Sequence, residues 1–322
     1  MRSLVLRALA TLQLVRMPLA LAVGSDLWLA TLLTRWNPAA DDRAASTMPL
    51  WAALTVAALI GGGMLGFAAG MNDLLDQRRD QARNPGRPLP AGRMRTHHAA
   101  LVTFGSLVTA LIASATFGDD SLKVALLAAG GVTAWNAFGR HVPAAGLPMM
   151  GLAHAGVMFI PWPAQPFTLP ACLVFIQAVV TGTLIHQRSG KRPSIDRTTG
   201  LTLAVTSLAT TIGIALLARH RGAPIWPADE SLVAAAWLAI PLGGFAWLVR
   251  AASIESKADE SLMLLQRAAV ATPPAMAAAW SLALGRPVAA AAFAGTAVAC
   301  WSLAWVAREV HAMLGAPPAW RG

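Results

Sequence analysis

The sequence predicts an all-α fold: a polytopic membrane helix bundle of nine or ten transmembrane helices around a central cavity, with residues 1–322 as a single integral membrane domain. Three observations support this. Apolar residues fill 56% of the 322 positions and charged residues only 12%, with a mean hydropathy of +0.55. That composition excludes a soluble domain, a disordered chain and a secreted disulfide scaffold. The apolar residues gather into runs, each near the roughly 20 residues a helix needs to cross the hydrocarbon core. The charges lie between the runs, and no polar gap is long enough for a separate soluble domain.

In order, the runs lie near residues 17–33, 48–71, 98–117, 122–138, 145–161, 167–186, 200–218, 231–251, 262–284 and 288–307. The first follows Arg2, Arg7 and Arg16 but ends in no convincing small-residue cleavage site, so it reads as a retained first helix. The second is glycine-rich. Pro143, Pro148, Pro161 and Pro170 interrupt the middle runs, so one of them is expected to be re-entrant or two to merge, which sets the count at nine or ten. With the N-terminus inside and ten crossings, 19 of the 25 Lys and Arg fall in inner segments. The polar loops 72–97 and 187–199 and the N-terminus are therefore expected to be cytoplasmic.

The net charge of +10 is thus a topology signal, unlike the one-sided patch of a nucleic-acid binder; the expected partner is the lipid bilayer and no nucleic acid. Cys172 and Cys300 lie in separate apolar runs, and neither a disulfide nor a metal site is expected of them.

The first polar loop opens Asn72-Asp73-Leu74-Leu75-Asp76-Gln77-Arg78-Arg79-Asp80. On a helix, positions 72, 76 and 80 stack on one face, and Asp73 neighbours Asp76 by the i, i+3 relation. Crowded carboxylates repel unless a cation holds them, and hard oxygen donors suit Mg²⁺ shared with a phosphate. Arg83, Arg87 and Arg93, which follow, suit the remaining phosphate charge. The plainer alternative is a solvated amphipathic helix whose carboxylates pair with Arg78 and Arg79.

The segment Asn84-Pro85-Gly86-Arg87-Pro88-Leu89-Pro90-Ala91-Gly92-Arg93, placed after Asn72, Asp73, Asp76 and Asp80, resembles the UbiA superfamily of intramembrane prenyltransferases, whose pattern is NDxxDxxxD followed by RPLPxGR. Trp135-Asn136-Ala137-Phe138-Gly139-Arg140-His141-Val142-Pro143 is similar to the family's segment after the fourth helix. The resemblance puts Arg140 at a basic diphosphate contact and Trp135 in place of a Tyr. The third segment departs from the pattern: where the family carries a second DxxxD motif, this chain has Gly182 and His186, followed by Lys191 and Arg192. The lopsided pattern resembles a divergent, EboC-like branch.

The resemblance implies a Mg²⁺-dependent prenyltransferase that moves a prenyl group from a prenyl diphosphate to an unidentified acceptor at the cytoplasmic mouth of the bundle, in a bacterial inner membrane. Asp73, Asp76 and Asp80 are then the catalytic metal ligands. Asn72, Arg83, Arg87, Arg140, Lys191 and Arg192 are the diphosphate-binding residues. The alternatives are a prenyl- or phospholipid-binding or transport protein that lost turnover with the second motif, and a small-molecule transporter. The latter lacks the paired broken helices such folds use. Two polar residues inside the spans stand apart. Asp26 is costly in a membrane and expected either at a cavity or near the outer interface, and His154 reads as a polar helix–helix contact.

Overall fold

The computed structural model describes residues 11–313 apart from 13, 15, 84, 86, 167, 191–192 and 223–230; of the side chains at 83, 231–234 and 307–313 nothing is described. Among the described residues the protein is built of helices and short turns, without strands. The principal helices are α1 (Met17–Trp36), α2 (Leu50–Leu75), α3 (Gln77–Arg83), α4 (Thr96–Ala115), α5 (Asp119–Ala137), α6 (Pro143–Gly156), α7 (Leu169–Arg188), α8 (Arg197–His220), α9 (Ser231–Ile254), α10 (Ala258–Ala283) and α11 (Pro287–Met313). Each expected run has a helix over most of its length. Proline fits the first turn of a helix, where no N–H partner is lost, and α1, α6 and α7 each begin that way.

Seven described helices are long and apolar enough to cross a membrane by length and composition. The 14-residue α6 is not one of them, since at 1.5 Å per residue it reaches only about 21 Å of a ~30 Å core. A turn at Val157–Phe159 and a loop carrying Pro161, Pro163 and Pro166 follow it, so the expected run 145–161 ends early because its backbone cannot continue as helix. The first loop also differs from expectation. The helix through Asn72 does not continue unbroken to Asp80: Asp76 is the C-cap of α2 and α3 starts afresh. Asp76 N–H still donates to Asn72 O and Asp80 N–H to Asp76 O, so the four-residue spacing survives the break.

In lipid, helices associate through close packing of small residues rather than through burial from water. The α2–α4 crossing shows why α2 is glycine-rich, because a Cβ at Gly70 would collide with the Thr103 side chain. A second close approach lies nearer the polar end, where a Cβ at Gly146 would strike the Gly139 carbonyl; this brings the start of α6 against the segment that carries Arg140. Two apolar clusters fill the interior, one around Phe175 and Trp280 and the other around Leu27, Ile60 and Phe67. Leu201 and Leu208 of α8, Trp247 of α9 and Val298 of α11 point outward, as side chains facing lipid should.

Candidate diphosphate site

Between the helices lies a cavity of about 710 Å³, with arginines and aspartates gathered where α1 begins and α2 and α7 end. Asp73 is almost fully buried and accepts from two arginines, Arg87 Nη1 at 3.4 Å and Arg16 Nη2 at 3.5 Å, as well as from Asn72 Nδ2 at 3.3 Å. Arg87 Nη1 also donates to Asp80 Oδ2 at 2.6 Å. Arg140 Nη1 lies 2.6 Å from Asp76 Oδ1, close as an ion pair but not aligned as a hydrogen bond. Three carboxylates thus meet three guanidiniums drawn from four parts of the chain.

Local sequence aims these groups. Arg16 stands at the N-cap of α1 in the left-handed region, φ +53°, which turns the chain at the mouth. A non-glycine residue adopts that conformation at a cost of about 1–2 kcal/mol and persists only where its surroundings hold it; the ion pair to Asp73 is one such hold. Arg87 is aimed by the turn that follows it. Pro88 O accepts from both Arg93 and Met94 N–H, and Leu89 is buried against Leu14, Ala99 and Met94. This apolar anchor is why the prolines and leucine of the loop matter.

Of the residues singled out in the sequence, Asn72, Asp76, Asp80, Arg87 and Arg140 all line the cavity. Asp73 does not; it sits behind them, holding Arg16 and Arg87. The side chain of Arg83, and Lys191 and Arg192 altogether, lie outside the described residues. The carboxylates pair with Arg16, Arg87 and Arg140 rather than with Arg78 and Arg79 as the plainer alternative had it. Gly182 and His186, the positions without the second acidic motif, line the same cavity from α7. His186 Nε2 lies 2.8 Å from Pro193 O. Asp196, the carboxylate nearest them in sequence, caps α8 by accepting from Thr199 N–H at 2.7 Å, and that hydrogen bond holds its carboxyl below the usual range.

Sequence reading missed Arg16, Arg79, Arg188 and Asp259 as cavity residues. In the sequence Arg16 stands out only as a topology charge, although its place one residue before a helix opening with Met17-Pro18 signals a turn.

The mouth suits an anion. Arg87 Nε and Arg140 Nε are buried donors without a hydrogen-bond partner, and a buried unpaired charged donor is costly unless something fills it. For Mg²⁺ the donor chemistry also fits. Among the described residues no three His, Cys, Asp or Glu side chains group closely enough to form an all-protein metal site. Mg²⁺ seldom needs one, because it is typically bound by one or two carboxylates plus substrate phosphates and water. Asp76 and Asp80 face the cavity beside Arg87 and Arg140 and are the pair that would serve, with Asp259 of α10 a third carboxylate on the lining.

The UbiA prenyltransferase family model matches residues 42–267 of the chain. No curated protein matches the sequence. Two solved structures resemble the fold at low identity. One is described as digeranylgeranylglyceryl phosphate synthase in membranes, 14% identical, with a TM-score of 0.48, covering 95% of this chain and 97% of that one. The other is a UbiA homologue from Archaeoglobus fulgidus bound to GPP and Mg²⁺, 14% identical, with a TM-score of 0.44, covering 91% and 99%.

Proposed function

Since the chain belongs to the UbiA prenyltransferase family, we propose that it transfers a prenyl group from a prenyl diphosphate to an acceptor within the bundle, with the diphosphate seated among Arg16, Arg87 and Arg140. One observation carries this reading: a cavity with largely apolar walls opens on a buried lattice of arginines and aspartates that leaves two guanidinium Nε donors unused. Asp76 and Asp80 would hold one Mg²⁺ against the diphosphate, and the ion when bound would stabilise the charge that develops on the leaving group. Arg87 and Arg140 donate to phosphate oxygens in the same sense. Asp73 keeps Arg16 and Arg87 in place, and Asn72 fixes the Asp73 carboxylate. The apolar walls receive the isoprenoid and exclude water, which would otherwise intercept an allylic cation.

A second reading, binding without turnover, is favoured by one specific observation: on the opposite wall the chain offers Gly182 and His186 where typical members place carboxylates. Purified protein in detergent, incubated with Mg²⁺ and labelled geranyl diphosphate, separates the two. Transfer predicts retention and diphosphate release above the protein-free control. Retention without release for any acceptor supports the second reading, and no retention defeats both.

Two expected results test the parts. Asp76→Ala and Asp80→Ala each remove a hard anionic donor, and a hydrogen bond or ligand contact to a charged group contributes about 1.5–3 kcal/mol. The Mg²⁺-dependent part of geranyl diphosphate binding should fall roughly ten- to a hundredfold by equilibrium dialysis; variants that bind like the parent would make the loop a structural helix only. The second concerns orientation. Both long loops face the cytoplasm of a bacterial inner membrane in this reading, and the native Cys172 and Cys300 are buried. Cysteines introduced as Gly86→Cys and Gly190→Cys should resist an impermeant maleimide in intact cells and react after lysis. Labelling from outside would reverse the topology.

A further inference from the structure

The cavity has a second polar end that the diphosphate reading does not use. His154 of α6 lines the cavity, and its Nε2 lies 3.1 Å from Oδ2 of Asp26 on α1, a carboxylate only 1% exposed. Gln177 of α7, also buried, lines the cavity and donates to Ala269 O of α10 at 3.3 Å. Each lies ten or eleven residues along its helix from the mouth: Asp26 from Arg16, His154 from Pro143 and Gln177 from Arg188. At 1.5 Å per residue this sets a polar layer about 15 Å below the arginines. Between the layers the walls are mostly apolar, formed by Met64, Leu65, Val132, Leu147 and Met150, and the hydroxyl of Thr181 is bonded back to Gln177 O.

A prenyl diphosphate alone does not match such a cavity. Its charged end answers the mouth, but the rest of it is hydrocarbon and makes no use of the polar groups that His154 and Gln177 bring to the cavity. An intramembrane carboxylate is expensive and is normally kept where it meets a cavity or a polar ligand. The second substrate of a transfer reaction must place its nucleophile beside the first carbon of the prenyl group, close under the diphosphate, so its other end projects downward. We propose that Asp26 and His154, with Gln177, form an acceptor subsite that takes an uncharged hydrogen-bonding group such as a hydroxyl and rejects a carboxylate.

The selectivity follows from charge. With one proton shared between them the Asp26–His154 pair is neutral, so it offers no net positive charge to a ligand. Gln177 is neutral. Arg267, the cation of α10 nearest this level in sequence, lies over the Trp301 ring at 5.3 Å and is not among the cavity-lining residues. An acceptor ending in a carboxylate would be buried there without a counter-charge, and like-charge juxtaposition costs several kcal/mol. A hydroxyl can exchange hydrogen bonds with the His154 ring and with the amide of Gln177, while Asp26, which does not itself line the cavity, acts from behind His154 by setting the charge of the pair.

This inference rests on the prenyl-transfer reading, and its test keeps the two apart. The probes are 4-hydroxybenzyl alcohol and 4-hydroxybenzoate, which share a phenol and differ at the far end. Their dissociation constants are measured by equilibrium dialysis against purified protein with Mg²⁺ and the unreactive thio analogue of geranyl diphosphate. The native protein should bind the alcohol at least about tenfold more tightly, the equivalent of one pairwise charge interaction. Asp26→Asn should narrow that ratio, and His154→Arg, which adds a cation, should reverse it. A pair that merely ties α1 to α6 would lower the melting midpoint of the variants and leave the ratio unchanged. The native ratio is itself decisive if both variants fail to fold. Equal affinity, preference for the benzoate or binding of neither ring overturns the proposed subsite. Retention of labelled geranyl diphosphate by the native protein reports separately on the reading beneath it, whose loss removes both.

Discussion

Arg87→Ala should be the most damaging single change at the mouth, lowering stability by about 3–5 kcal/mol and abolishing geranyl diphosphate retention. The stability loss follows from burial. Arg87 Nη1 serves both Asp73 and Asp80, and all three side chains are nearly inaccessible. Removing Arg87 takes a shared counter-charge from two buried carboxylates at once, and breaking a buried ion pair accounts for a loss of that size. Arg87→Lys separates the two roles. Both carboxylates contact the same nitrogen, so an ammonium of similar reach can satisfy them and recover much of the melting midpoint. It cannot replace the planar guanidinium whose Nε is left free for a ligand. The lysine variant should therefore be markedly more stable than the alanine variant yet bind geranyl diphosphate at least about tenfold more weakly than the native protein. Native-like binding by Arg87→Lys in dialysis would show that Arg87 is structural only.

How much of this was legible in the sequence depended on how locally each feature is encoded. The helices were readable because apolar runs are properties of consecutive residues, and α1, α2 and α7 lie where those runs predict. Asn72, Asp76 and Asp80 were readable for the same reason, since a spacing of four brings them together whether or not the helix is broken at Asp76. The role of Asp73 was not. It was grouped with its neighbours as a metal ligand, but its partners Arg16 and Arg87 lie 57 and 14 residues away, and only tertiary packing turns it toward them. The pairing of Asp26 with His154, 128 residues apart, was hidden in the same way. Each residue looked odd alone, and neither pointed to the other. The shortness of α6 was half visible: its prolines predicted an interruption without saying whether the chain would kink or stop.

In the proposed reaction the α7 wall sets the rate. Where the resemblance expects a second carboxylate pair this chain has Gly182 and His186, so in the proposed site a bound diphosphate would meet glycine and imidazole on that side. The double variant Gly182→Asp, His186→Asp should convert the site to a steeper metal dependence. Without Mg²⁺ the two new carboxylates repel the diphosphate, and binding should fall. With Mg²⁺ a second ion can be shared between α7 and the phosphates, and diphosphate release should rise on the order of 10²-fold, the scale on which single electrostatic donors to a developing charge act. The wall must give way slightly for the change. A Cβ at Gly182 would come within 2.7 Å of Met150 Cε and 3.2 Å of Leu147 Cδ2, and the first is the far end of a flexible side chain that can move aside. Losing the His186 contact to Pro193 O costs about 0.5–1.5 kcal/mol, which the fold can absorb. Opposite signs with and without Mg²⁺ are the signature to measure, by metal content per site and by release rate. If the variant gains no second metal and releases no faster, α7 does not face the diphosphate, and the missing motif is not what limits turnover.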